Sequence, residues 1–315
     1  MFIRPRKLSL GQTLGIIAPA SAPPDAKALD RALDVLKHLG YRIKLARNVH
    51  NRHGFLAGTD RERGSDLMRM FTDKKVDAVL CVRGGYGTAR LLPLLDYKVI
   101  AANPKIFVGF SDITSLHCAF LTKAKLISFH GPMMVSDFSR EELSQFAVKS
   151  FLETLSGQGG AFVKGYSGNT VKVLRRGVAR GRLVGGNLAV LCTLLGTPWM
   201  PTLKGRILFI EDIGELPYRF DRMLTQLMNC GLLQQVAGVA IGLNVDCEDP
   251  KAKVTMEYRQ SLEDVLRERL LPLNVPVVTG LPFGHVPENG TLPMGVKAEL
   301  DADCGELNFA EVCVR

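Results

Sequence analysis

The chain lacks the features that mark membrane proteins and disulfide-rich proteins. None of its apolar runs approaches the length of about 20 residues that a membrane-spanning helix needs, so we predict no membrane association. The seven cysteines are odd in number and include no C-x-x-C pair, and Cys81, Cys118 and Cys192 lie within apolar runs. This usage is typical of buried thiols in a reducing compartment and predicts a cytoplasmic protein.

Signatures of nucleotide, metal and nucleic-acid binding are also missing. There is no G-x-G-x-x-G motif and no P-loop, and His50 and His53 have no convincing third metal ligand nearby. Forty basic against 31 acidic residues give a formal charge of +9, but the positive charge is scattered and no aromatic-interleaved basic patch accompanies it. We therefore expect no cofactor, no metal and no nucleic-acid partner, and interpret the charge as solvated surface that could attract an anionic substrate.

The order of strand and helix signals predicts an α/β protein with two domains. In residues 1–155, apolar strand signals at 14–18, 41–46, 76–82 and 106–110 alternate with helix signals, which indicates a parallel sheet of the Rossmann or flavodoxin-like kind. Residues 156–180 are rich in glycine and polar residues and are interpreted as a linker. Residues 181–315 mix strands and helices and predict a second, smaller mixed α/β domain.

A serine follows the fourth of these strand signals directly. In Gly109-Phe110-Ser111-Asp112, a sharp turn from strand to helix would expose the Ser111 hydroxyl at the end of the sheet. The start of the helix would also offer unpaired N–H groups to a developing oxyanion. A plain helix cap explains the same residues, so a nucleophile requires a base and an acid elsewhere in the chain.

A glycine-rich turn, Arg83-Gly84-Gly85-Tyr86-Gly87, follows the strand signal at 76–82. Adjacent glycines after a strand allow backbone N–H groups to converge on an anion or oxyanion. A tight turn with no ligand is the alternative.

An acid and a base each follow a predicted strand in the second half. Glu211 ends an apolar strand, although Asp212 and Glu215 are near enough to compete with it, and His285 lies in a loop defined by glycine and proline. His130, beside Gly131, could line the same site. Serine, acid and base thus appear in the chain order found in α/β-hydrolases, and these are the residue types that proton transfer from a serine hydroxyl requires.

With these residues in place, the chain resembles the LD-carboxypeptidase family of serine peptidases, and within it the murein tetrapeptide carboxypeptidases most closely. The motifs that carry the resemblance run nearly end to end, at residues 16–21, 55–59, 83–87, 109–112, 130–133, 185–188, 196–199, 211–215 and 284–285. Phe110 occupies a position that varies in the family.

The resemblance implies the activity and the site. The nucleophile, acid and base fall on Ser111, Glu211 and His285, and the oxyanion donors would be the amides of Gly85 and Asp112. Arg83, Gly84 and His130 are candidate substrate contacts, with Arg83 suited to the terminal carboxylate on chemistry alone. The implied protein is a cytoplasmic, metal-independent homodimer that removes the terminal D-alanine from murein tetrapeptides, at the L-centre of meso-diaminopimelate or lysine, for peptidoglycan recycling.

Two alternatives stay open. The microcin-immunity branch of the family shares the three residues and cleaves peptidyl or aminoacyl nucleotides, although no inserted aromatic loop for nucleotide stacking is obvious here. A non-catalytic binder of cell-wall fragments or nucleotides could instead use the two glycine-rich turns at residues 83–87 and 185–187.

Overall fold

The computed structural model describes residues 2–158, 171–248 and 260–315, which form two β-sheets with helices packed against them. The strands are β1 (Thr13–Ile17), β2 (Arg42–Leu45), β3 (Ala78–Cys81), β4 (Ile106–Gly109), β5 (Ser128–His130), β6 (Lys172–Arg175), β7 (Val178–Asn187), β8 (Arg206–Glu211), β9 (Gly238–Leu243), β10 (Val277–Gly284), β11 (Leu292–Met294), β12 (Lys297–Asp301) and β13 (Glu306–Phe309). The helices are α1 (Ala26–His38), α2 (Asp60–Thr72), α3 (Tyr97–Ala102), α4 (Thr114–Ala119), α5 (Gln145–Ser156), α6 (Leu188–Thr193), α7 (Pro217–Asn229) and α8 (Leu262–Leu270).

The first sheet has the strand order β11-β5-β4-β3-β1-β2. β1 to β5 are parallel to one another, and only β11 is antiparallel. Every residue of β3 and β4 is buried, as expected for central strands covered by helices on both faces. The order β2-β1-β3-β4-β5 is that of flavodoxin-like folds, so the predicted parallel α/β domain is confirmed.

The second sheet has the order β13-β12-β7-β8-β9-β10-β6. Its four central strands, β7 to β10, are parallel, while β6 and the β12–β13 pair lie antiparallel at the two edges. The predicted mixed α/β unit is confirmed, and its sheet has one strand more than the first. Because Glu211 ends β8 and His285 follows β10, both side chains leave the sheet at its carboxyl edge.

The chain crosses back to the first sheet after β10. β11 pairs with β5, which places Leu292 opposite His130. The connecting loop is held by Asn289, whose Oδ1 atom accepts a hydrogen bond from the Gly284 amide at 3.1 Å. His285 therefore lies on a segment that is anchored to the second sheet at β10 and to the first sheet at β11. This connection brings His285 toward the serine of the first sheet.

Several boundaries differ from the sequence prediction. β10 continues to Gly284, well past the predicted end at residue 279, because shifts in its pairing with β9 accommodate Gly280 and Pro282. α5 begins at Gln145 rather than 140, with Ser144 as its cap. β6 and the start of β7 fall within the predicted linker 156–180, of which 159–170 lie outside the described residues. The helix predicted at 256–269 begins at Leu262, directly after its cap residue Ser261, and positions 256–259 lie outside the described residues.

Within the described ranges, no helix is both long enough and apolar enough to cross a membrane.

Candidate active site

Ser111 lies in a strained turn between β4 and α4. Its φ angle is +63°, a left-handed conformation that costs a non-glycine residue about 1–2 kcal/mol. Gly109 makes the turn possible, because a Cβ atom at that position would lie 2.9 Å from the Ile113 side chain. Backbone strain of this kind is typical of a serine held for reaction at the end of a strand.

The structure brings the serine, the histidine and the glutamate together. The Oγ atom of Ser111 lies 3.0 Å from Nε2 of His285. The Nδ1 atom of His285 lies 2.7 Å from Oε2 of Glu211, which is fully buried. This geometry fits an Nδ1–H that donates to the carboxylate and leaves Nε2 free to accept the serine proton.

The charge of Glu211 sets the protonation behaviour of His285. Burial is the largest influence on the pKa of His285 and lowers it. The hydrogen bond from His285 to Glu211 and the negative charge of that carboxylate, supported by Asp212, outweigh burial and raise the pKa above its ordinary value. A histidine with this environment is a stronger base than a buried imidazole alone.

The two competing carboxylates have other partners. Asp212 accepts hydrogen bonds from the Asn187 side chain and the Ala189 amide, both at 2.8 Å, and so caps α6. Burial and the nearby charge of Glu211 raise the pKa of Asp212 to about 6. Glu215 instead forms a partly exposed ion pair with Arg219 at 3.6 Å. Glu211 is thus the acid that faces His285.

Two backbone amides are available beside the serine. A Cβ atom on Gly84 would lie 2.8 Å from the Ser111 Cβ atom and 3.3 Å from the Asp112 amide, so the glycine-rich turn packs directly against the serine. Among the described residues, neither the Gly85 amide nor the Asp112 amide donates to a protein acceptor. Both positions therefore suit the role of oxyanion donor.

The glycine-rich turn is held by residues that the sequence did not single out for this role. The Thr88 amide donates to the Asp112 carboxylate at 2.9 Å, which ties the turn to the residue after the serine. Ser21 accepts a hydrogen bond from the Tyr86 amide and donates its own amide to the Gly84 carbonyl, each at 3.3 Å. The only sequence signal for Ser21 was its place in the motif at residues 16–21.

Arg63 is a second residue that sequence reasoning missed. Its guanidinium is almost fully buried and donates to the carbonyls of Gly58, Gly87 and Pro19, which belong to three separate loops. It also pairs with Asp60 at 2.5 Å. One buried cation therefore fixes the loops that surround the serine.

The two remaining candidate substrate contacts, Arg83 and His130, have very different surroundings. Arg83 is half-buried, directly precedes Gly84, and its guanidinium has no partner within the described part of the chain. His130 is fully buried among the rings of Phe110, Phe209 and Phe283. Burial also lowers the pKa of His130 well below its ordinary value. This position argues against the predicted contact between His130 and substrate.

The two sheets are joined next to the site. The Asn187 amide at the end of β7 donates to the Thr114 hydroxyl of α4 at 3.0 Å. Asn187 is also the strand neighbour of Glu211. This contact fixes the helix that follows Ser111 against the sheet that carries the acid and the base.

Comparison with known proteins identifies the family. Residues 14–131 match the model of the LD-carboxypeptidase N-terminal domain, and residues 180–300 match that of the LD-carboxypeptidase C-terminal domain. A probable murein peptide carboxypeptidase of Bacillus subtilis is 41% identical over 298 residues, which cover 95% of this chain and 91% of that protein. The chain belongs to the LD-carboxypeptidase family.

Solved structures share this fold. A muramoyltetrapeptide carboxypeptidase from Oxalobacter formigenes is 38% identical with a TM-score of 0.84, and the match covers 96% of this chain and 99% of that one. The microcin C7 self-immunity protein MccF is 26% identical with a TM-score of 0.91, and the match covers 99% of this chain and 100% of that one. The chain is therefore an enzyme of a serine carboxypeptidase family, as the sequence predicted.

Within the described residues, no group of three or more histidine, cysteine, aspartate or glutamate side chains could hold a metal ion.

Proposed function

We propose that the protein is an LD-carboxypeptidase that removes the C-terminal D-alanine from murein tetrapeptides, at the L-centre of meso-diaminopimelate or L-lysine, in peptidoglycan recycling. The observation that carries this proposal is the hydrogen-bond chain from Ser111 through His285 to Glu211, with contacts of 3.0 and 2.7 Å, in a member of this family. The relative named a probable murein peptide carboxypeptidase supports the substrate class.

In the proposed mechanism, the Ser111 Oγ atom attacks the carbonyl carbon of the L-centre residue while His285 Nε2 takes the hydroxyl proton. The amides of Gly85 and Asp112 hold the oxyanion of the tetrahedral intermediate. His285 then gives its proton to the departing amine of D-alanine, which leaves an ester on Ser111. Water, activated by His285 in the same way, hydrolyses this ester and restores the enzyme.

Glu211 has an orienting role in this scheme. Its buried carboxylate accepts a hydrogen bond from the Nδ1–H group of His285 at 2.7 Å, which keeps Nε2 unprotonated and able to accept a proton. The same negative charge stabilises the imidazolium that exists while the proton is held. Glu211 is not required to take up a proton itself.

We further propose that Arg83 binds the terminal carboxylate of the substrate. An exopeptidase must recognise a free carboxylate next to the scissile bond, and a guanidinium can do so with two parallel hydrogen bonds. Arg83 adjoins Gly84, which packs against the serine, and has no competing acidic partner among the described residues. The same loop would then carry both the glycine-rich turn and the side chain that recognises the substrate carboxylate.

The test is turnover of synthetic tetrapeptides followed by mass spectrometry. We expect release of D-alanine from L-Ala-γ-D-Glu-meso-diaminopimelate-D-Ala and no release of L-alanine from the isomer with an L-terminus. A tetrapeptide with a C-terminal amide should be a poor substrate, because the carboxylate is missing. Binding of the tetrapeptide without any product would instead identify a non-catalytic binder.

A second candidate substrate class is suggested by the whole-chain similarity to MccF, with its TM-score of 0.91. That protein has been solved in complex with aspartyl sulfamoyl adenosine. If this chain acts on such compounds, it should cleave a peptidyl or aminoacyl nucleotide with a higher kcat/KM than the murein tetrapeptide. The two substrates compared in one assay decide between the candidates.

The family resemblance is also the basis on which we propose a cytoplasmic homodimer. Light scattering on the purified protein tests the dimer, and fractionation of the source cells tests the location.

A further inference from the structure

The peptide bond that joins Gly87 to Thr88, at the end of the glycine-rich turn, is bound on both sides by buried charged groups. The Gly87 carbonyl accepts a hydrogen bond from the Arg63 guanidinium at 3.0 Å, and the Thr88 amide donates one to the Asp112 carboxylate at 2.9 Å. Arg63 is 1% exposed and Asp112 is 5% exposed. Hydrogen bonds to charged groups are stronger than those between neutral groups, so the two side chains fix the orientation of this peptide.

The Thr88 side chain forms a further link to the same residue. Its hydroxyl donates to the backbone carbonyl of Asp112 and lies 2.6 Å from the Ser115 hydroxyl. Thr88 is fully buried, so a loss of these bonds would leave polar groups unpaired in the interior. The end of the glycine-rich turn therefore cannot move independently of the residue that follows the serine.

The start of the turn is held by Ser21. The Ser21 amide donates to the Gly84 carbonyl, and its hydroxyl accepts from the Tyr86 amide, each at 3.3 Å. The C=O and N–H groups of one peptide point in opposite directions, so the Gly85 amide points away from Ser21. Gly85 and Gly87 have φ angles of +110° and +122°. Because glycine is conformationally permissive, the orientation of the Gly85 amide depends on contacts at both ends of the turn.

We propose that Asp112 is a positioning residue whose carboxylate, by binding the Thr88 amide, holds the Gly85 amide in place as an oxyanion donor. This inference rests on the proposed function, because it takes Ser111 as the nucleophile. Asp112 then has two separate tasks: its own amide is one oxyanion donor, and its carboxylate fixes the segment that carries the other. Catalytic groups displaced by about 1 Å can lose 10²-fold in rate, so this fixation has a measurable effect.

The test must separate positioning from a contribution to stability alone. Burial raises the pKa of Asp112 above its ordinary value, while the hydrogen bonds from Thr88 and the charge of Arg63 act in the opposite direction. A second buried carboxylate provides the control. Asp66 in α2 is 4% exposed and accepts hydrogen bonds from the amide and the side chain of Asn48, at 2.8 and 3.0 Å. It resembles Asp112 in burial and in bonding, but it holds a segment to which no catalytic part is assigned.

The first measurement is kcat and KM for D-alanine release from the tetrapeptide. Asp112→Ala should lower kcat by about 10²-fold and change KM by less than about threefold, because the oxyanion exists only after attack. Asp112→Asn keeps an oxygen that accepts the Thr88 amide, so its loss should be smaller, about tenfold, and this variant decides the matter if Asp112→Ala does not fold. Asp66→Asn should lower the melting temperature and leave kcat unchanged.

The second measurement needs no murein peptide. A fluorophosphonate reacts with an activated serine, and its phosphoryl oxygen occupies the position of the oxyanion. Mass spectrometry of the modified Ser111 should show slower labelling in Asp112→Ala than in the unmodified enzyme or in Asp66→Asn.

Three results would overturn the positioning role of Asp112: full kcat and full labelling rate in folded Asp112→Ala, a loss that appears only in KM, or equal losses in Asp112→Ala and Asp66→Asn. Failure of the proposed function is seen separately, as labelling of Ser111 in an unmodified protein that releases no D-alanine. The labelling rates of the variants then decide the role of Asp112.

Discussion

The Nε2 atom of His285 lies 3.0 Å from the Oγ atom of Ser111, although 174 positions separate the two residues in the chain. The serine leaves the first sheet after β4, and the histidine leaves the second sheet after β10. Their contact depends on the return of the chain from β10 to β11, which belongs to the first sheet. The reactive pair is therefore assembled from both sheets.

Replacing Glu211 tests the orienting role of the acid. Glu211→Gln keeps the side-chain shape but allows the wrong imidazole tautomer, so kcat for D-alanine release should fall by about 10⁴-fold with little change in KM. Glu215→Gln is the matched control, since Glu215 pairs with Arg219 at the surface. Steady-state kinetics that show equal losses for both variants would contradict the role of Glu211.

The pH dependence of kcat/KM follows from the environment of His285. The base must be neutral in the free enzyme, so activity should rise with pH through the His285 pKa, which Glu211 raises above the ordinary value of about 6.5. In Glu211→Gln the opposing charge is gone and burial dominates, so the residual activity should have its midpoint at lower pH. A midpoint that does not move would refute this account of the pKa.

The glycine-rich turn leaves no room for a side chain at Gly84. The φ angle of this residue is not positive, so Gly84→Ala brings no backbone strain and acts only through the contact at 2.8 Å with Ser111. We expect kcat to fall by about 10²-fold or more, because the serine or the oxyanion donors must shift. The measurement is kcat together with the melting temperature.

Gly64→Ala provides the control for this substitution. Gly64 lies within α2, and a Cβ atom there meets only Leu91 at 4.0 Å. Alanine should leave kcat unchanged and stabilise the fold by about 0.5–1 kcal/mol. If both alanine variants retain full activity, the packing of Gly84 against the serine has no catalytic importance.

Buried Arg63 should be more important for stability than any exposed arginine. Arg63→Lys cannot reach the carbonyls of Pro19, Gly58 and Gly87 at once, so buried acceptors lose their donors and the free energy of unfolding should fall by about 2–3 kcal/mol. Arg61 lies two residues earlier in α2 and is exposed. Arg61→Lys should therefore change the free energy of unfolding by less than about 0.5 kcal/mol. Equal stabilities in urea denaturation would count against this assignment.

Much of the architecture could be predicted from the sequence because its local signals agree with the tertiary fold. The first sheet has central strands that read as apolar runs. Glu211 is the last residue of a strand, and Ser111 and His285 lie just past the ends of theirs. These candidate catalytic side chains near the carboxyl edges of the sheets could therefore be identified from the sequence alone. The family prediction was confirmed by the matches to both of its domains.

Other features depend on contacts between distant segments and leave no local signal. β11 has three residues and is defined only by its pairing with β5. The burial of His130 results from three phenylalanines, two of which come from the second sheet. The choice of Glu211 over Asp212 was also open in the sequence, because it depends on Asn187 and the Ala189 amide, which occupy the Asp212 carboxylate.

The most direct test of the whole account is the rate of D-alanine release from a murein tetrapeptide by the Ser111→Ala protein, beside the unmodified enzyme. The unmodified enzyme should release D-alanine, and Ser111→Ala should lower kcat by about 10⁶-fold while the circular dichroism spectrum and melting temperature are retained. Release of D-alanine by the folded Ser111→Ala protein at the rate of the unmodified enzyme would contradict it.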